Sequence, residues 1–84
     1  MADLHKNFML DLGGLLREEA LRARQAFRAA KGTGDEAYQS GRTMAYYEVL
    51  SLLVDQAKAF GLPIAELNLD GLDPESYLAD TPIR

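Results

Sequence analysis

The chain has no cysteine, no tryptophan and one histidine, and each of these limits narrows the chemistry available to it. Without cysteine there is no disulfide framework, thiolate metal site or cysteine nucleophile. With His5 alone, near the N-terminus, there is no Glu-x-x-His set of the kind that holds a di-metal centre in a helical bundle, and no Ser-His-Asp arrangement in mid-chain. No glycine loop of phosphate-binding type is visible. These absences predict a protein that is not an enzyme and has no cofactor, resident metal or catalytic residue. No apolar run approaches the ~18 residues a membrane span needs. The opening residues, MADLHKNFML, lack a basic segment followed by a long apolar one, so the expectation is a cytoplasmic protein without a leader.

What remains is 84 residues, 48% hydrophobic and 26% charged. Such a composition is globular, but near the size at which one core is only marginally sufficient. Net charge is −4, unevenly spread. Residues 1–34 carry +2, including Arg17, Arg22, Arg24, Arg28 and Lys31, whereas residues 35–84 carry −6. Opposite charge on the two parts favours their lying together. An acidic whole argues mildly against nucleic acid as the main partner.

Residues 44–60, MAYYEVLSLLVDQAKAF, present apolar side chains around most of a helix. Glu48, Ser51, Asp55 and Lys58 alone form a polar stripe, at spacings of three and four. A helix this apolar must be covered on more than one side. The first part of the chain repeats Phe8, Leu12, Leu15, Leu16, Ala20, Ala23, Phe27 and Ala30 at helical spacing. Gly13-Gly14 interrupts that pattern. The pair implies either a break or a smooth stretch that admits a close neighbour, and a continuous, bent helix is the expectation.

Gly32-Thr33-Gly34-Asp35 closes one helix and opens the next, with Thr33 and Glu36 spaced as a capping box. A connection this short makes the two helices antiparallel neighbours. The predicted architecture is all-α and a single domain over residues 1–84. It has a first helix over about residues 3–31, a second over about 34–60, ended by Gly61, and a tail over 62–84 with short helical turns at Pro63 and Asp73-Pro74. Leu62, Ile64, Leu67, Leu69, Leu72, Tyr77 and Leu78 are too apolar for a free tail and should fold back on the hairpin.

Two helices cover only one stripe on each other. The surplus predicts that the hairpin dimerises into a four-helix bundle or that the tail covers it. Met44, Tyr46, Tyr47, Val49, Leu52, Leu53 and Phe60 are the candidate contact residues. The leading expectation is a small homodimeric, self-associating interaction module, with another protein as a possible partner. The alternative is a nucleic-acid-associated regulator using the basic stripe Arg17, Arg24, Arg28 and Lys31. No aromatic residue alternates with that stripe as base stacking would need, so it reads more simply as a solvated face or one that meets the acidic tail. A third class is a carboxylate or metal site built from Glu19 and Glu48, near Gln56, for which ion pairing with Arg22 or Arg42 is the simpler reading. Glu66, Asn68, Asp70 and Gly71 imitate the first half of a calcium loop, but Tyr77 stands where the bidentate glutamate belongs. An ordinary Asp-Gly turn accounts for them better.

Residues 41–53, GRTMAYYEVLSLL, resemble a segment of short bacterial all-helical proteins with no assigned activity. Residues 59–63, AFGLP, are similar to the same kind of chain. The resemblance implies an all-helical fold and carries over no catalytic or binding residue.

Overall fold

The computed structural model describes residues 3–74. Two long helices, α1 (Leu4–Ala29) and α2 (Glu36–Ala59), form a hairpin, and a short 3₁₀ turn at Ile64–Leu67 follows. There is no strand among the described residues. The helix that the pair Asp73-Pro74 was expected to start, and the contacts of Tyr77 and Leu78, lie outside the described residues.

Local chemistry sets the ends of both helices. Asp3 caps α1 by accepting the Lys6 N–H at 3.0 Å, which satisfies one of the otherwise unpaired amides of the first turn. Gly32, at φ +79°, takes the left-handed conformation that turns the chain out of α1. The expected capping box forms one residue out of register. Thr33 Oγ1 accepts the Asp35 N–H at 3.1 Å. The Glu36 carboxylate reaches back to the Gly32 N–H at 3.0 Å, rather than to that of Thr33. Gly61, at φ +71°, turns the chain out of α2.

Small residues let the helices meet closely. Ala20 and Ala23 of α1, Ala30 just past its end and Ala57 of α2 are buried, as are Phe27 and Leu50. Thr43, also fully buried, donates its hydroxyl to carbonyls on both helices, with Gln39 O at 3.1 Å and Ala23 O at 3.3 Å. A buried hydroxyl without such an acceptor would cost about 1–3 kcal/mol. The contact also fixes the antiparallel register, placing residue 23 level with residue 43.

The tail returns along the hairpin, as its apolar content implied. Leu67 and Leu69 are buried, and Ile64 and Leu72 pack on the same cluster as Leu50 and Val54. Leu62 stays largely exposed. Each full burial of a leucine is worth about 1.5–3 kcal/mol. Gly13-Gly14 neither breaks nor ends α1. Its neighbour is the tail rather than another helix: a Cβ on Gly13 would lie 1.7 Å from the Leu67 carbonyl oxygen, and one on Gly14 would lie 2.7 Å from the Asn68 side chain. The glycine pair is the seat on which the tail rests.

Gly41 has no such reason to be glycine. It lies inside α2 with nothing within 4 Å of the position its Cβ would occupy. Gly41→Ala should therefore stabilise the fold by about 0.5–1 kcal/mol, through helix propensity and a less disordered unfolded chain. Thermal melting measures this as a rise of a few degrees.

Candidate functional site

The tail covers one side of the hairpin and leaves the other open. At about 100° per residue, Leu4, Phe8, Leu12 and Leu15 form a stripe on α1. It lies about a quarter turn from the side (Met9, Leu16, Ala20, Phe27) that meets the core. On α2, Val49, Leu52, Gln56 and Phe60 form a second stripe, about a third of a turn from Leu50, Val54 and Ala57. Both offsets have the same rotational sense along the chain. Because the helices run antiparallel, the two stripes emerge on the same side of the hairpin. Gly13 and Arg17, which touch the tail, are rotated the opposite way.

The exposure values agree with this placement. Leu4 is 74%, Phe8 62%, Leu52 66% and Phe60 72% exposed, and Leu12, Leu15 and Val49 are also solvent-facing. A groove of about 230 Å³ runs between the helices at the free end, lined by Met9, Leu53, Gln56, Ala57 and Phe60 and by Leu62 and Leu67 of the tail. Its lining is almost wholly apolar. From the register set by Thr43 and Ala23, Leu15 stands about level with Leu52, and Phe8 with Phe60. The open face is therefore a largely apolar surface across the free end of the hairpin, with the exposed Gln56 set between Leu52 and Phe60.

The contact residues inferred from the sequence divide between two roles. Tyr46, Tyr47 and Leu53 pack against the chain's own core, and Met44 is half-buried. Val49, Leu52 and Phe60 are left on the open side. Phe8, Leu12 and Leu15 share the helical spacing of the core residues of α1, but the structure sets them apart from the core, together with Leu4. A signal was present: those three residues lie about 60–120° away from the Leu16–Ala20–Phe27 line, so α1 carries two apolar stripes rather than one.

The basic stripe is tied up in the fold. Arg17 donates from Nη1 to the carbonyls of Asn68 and Asp70, both at 3.1 Å. The Lys31 ammonium sits over the Phe27 ring, 5.4 Å from its centroid, a cation–π distance. Arg24 and Arg28 are also engaged, and Arg24 lines a groove with Arg17, Leu72 and Asp73. Arg17→Ala removes two charged hydrogen bonds from the tail and should cost about 1–2 kcal/mol. Hydrogen exchange should show the loss first at the amides of residues 66–72, before the helices open.

The carboxylates do not converge on a site. Glu19 pairs with Arg22, Glu18 approaches the same guanidinium at 4.0 Å, and Glu48 is exposed on α2, as is Gln56. Among the described residues no group of three or more histidine, cysteine, aspartate or glutamate side chains is arranged to hold a metal. In the segment that imitates a calcium loop, Asn68 is left-handed at φ 59° and Gly71 at φ +77°. The carbonyls of residues 68 and 70 point to Arg17. No helix among the described residues is long and apolar enough to cross a membrane. Comparison of the chain with protein-family models, with curated proteins and with solved structures gives no match in any of the three.

Proposed function

We propose that this protein is a self-associating helical interaction module whose open face packs on a second copy to form a four-helix bundle. The supporting observation is the emergence of Leu4, Phe8, Leu12 and Leu15 on the same side as Val49, Leu52 and Phe60, opposite the tail. Leaving such side chains in water forgoes roughly 1.5–3 kcal/mol each at full burial, against a whole-domain stability of about 5–15 kcal/mol. Exposed apolar side chains that cluster, rather than scatter, mark an interaction site.

The spacing along α2 supports helix pairing in particular. Val49 and Leu52 stand three residues apart and Phe60 eight further on, spacings that keep all three on one side of a helix. A two-fold axis along the hairpin would lay α1 of one copy on α2 of the other. Every neighbouring pair is then antiparallel, and Phe8 and Leu15 meet Phe60 and Leu52. The module performs no chemistry of its own in this reading; its work is to bring chains together.

Association of this kind makes thermal stability depend on concentration. The melting midpoint should climb by several degrees across a roughly hundred-fold range of protein concentration. A midpoint that stays flat over that range rejects the proposal.

A further inference from the structure

The groove at the free end takes its walls from two parts of the chain. Met9, Leu53, Gln56, Ala57 and Phe60 line it from the helices, and Leu62 and Leu67 line it from the tail. Leu67 is in place only while the tail is seated. Its carbonyl lies against Gly13, its side chain is 4% exposed, and Arg17 holds the next stretch through the carbonyls of Asn68 and Asp70. Leu62 is tied to the end of α2, donating its N–H to Ala57 O at 2.8 Å. Only Gly61 separates it from Phe60, the more exposed of the two phenylalanines of the open face. The docking face and the seated tail therefore share residues at this end.

At about 230 Å³ the groove is smaller than the ~300–1,000 Å³ of small-molecule sites, whereas a cavity of about 150 Å³ already admits a benzene ring. It suits one aromatic side chain. When two copies pair as described above, Phe8 of the second copy comes level with Phe60 and with this groove. We propose that seating of the tail and pairing of the open faces are coupled: Phe8 of a second copy fills a groove that Leu67 completes, so each event stabilises the other. This rests on the second-copy reading of the open face. A lifted tail leaves Phe8 an incomplete groove and weakens pairing, and pairing in turn holds the tail down. The tail is then a strap that controls assembly from the side of the hairpin where Arg17 grips it, away from the paired face.

Hydrogen exchange of the full chain over a range of concentrations, with sedimentation on the same samples, tests this coupling. The Leu69 and Leu72 amides are the reporters. They donate to Ile64 O and Leu69 O, both at 3.1 Å. Neither residue lines the groove, so a second copy seated there does not shield them directly. In the dilute chain they should exchange faster than the Leu50 amide, through lifting of the tail alone. Well above the dissociation constant of the dimer they should slow by at least about ten-fold. Phe8→Ser should remove that slowing and leave the dilute rates unchanged. Gly13→Ala should raise the dissociation constant by a similar factor, because coupling acts equally in both directions, whereas Gly41→Ala should leave it as it is. A chain that dimerises while Leu69 and Leu72 keep their dilute exchange rates would overturn the inference and leave the second-copy reading standing. So would a Gly13→Ala protein that dimerises as tightly as the parent. A chain that stays monomeric at every concentration overturns both.

Discussion

Replacing Gly13 with alanine should lift the tail off the hairpin. Alanine is the better helix former by about 1 kcal/mol, so on propensity alone the change would stabilise α1. The Leu67 carbonyl decides otherwise, because it stands 1.7 Å from where the new Cβ must go. A backbone group cannot swing aside as the end of a flexible side chain can. Either α1 or the 3₁₀ turn must shift, and the burial of Leu67 and Leu69 goes with it. Overpacking of this kind costs about 1–3 kcal/mol, and losing the two leucines costs more. A domain of this size should lose about 10 °C or more in melting temperature. Amides of residues 64–72 should exchange freely while those around Thr43 stay protected. The contrast with Gly41→Ala, which should stabilise, separates a glycine required by a close approach from one that is not. A Gly13→Ala protein that melts at the wild-type temperature would mean the tail does not seat on α1.

The second large effect concerns the open face. Phe8→Ser with Leu52→Ser should raise the dissociation constant of the homodimer by about a thousand-fold or more. Each side chain is well over half exposed in the single chain and would be buried twice in a symmetric pair. Burial is worth about 1.5–3 kcal/mol per side chain, and each 1.4 kcal/mol is ten-fold. Because neither residue is in the hairpin core, the helical content of the dilute chain should be unchanged. That pairing of results distinguishes an interface from a packing defect. A variant that still dimerises as tightly as the parent would place the contact elsewhere.

Much of the hairpin was legible in the residues because its signals are local. Gly32 and Gly61 punctuate the helices, Thr33 and Glu36 mark the start of the second, and a short connection leaves antiparallel packing as the outcome. The return of the tail was legible too, from the count of leucines it carries. The division of labour among apolar residues was not. Tyr46 and Tyr47 read as outward-facing from α2 alone, yet they pack on the core. Which side of a nearly all-apolar helix is covered depends on where the tail lies. That is set by Gly13 and by two hydrogen bonds from Arg17, contacts more than fifty residues apart in the chain. The same long-range contact turns Arg17 from a candidate phosphate ligand into a tail clamp. Helical periodicity reports that a stripe is apolar, and not which neighbour will cover it.

The central claim is that the open face of Leu4, Phe8, Leu12, Leu15, Val49, Leu52 and Phe60 joins two copies of the chain. Sedimentation equilibrium of the full chain at micromolar concentration and moderate salt tests it most directly. The account predicts a mass of twice the single chain, reverting to one chain on dilution and in the Phe8→Ser, Leu52→Ser variant. A compact monomer throughout that concentration range would contradict it.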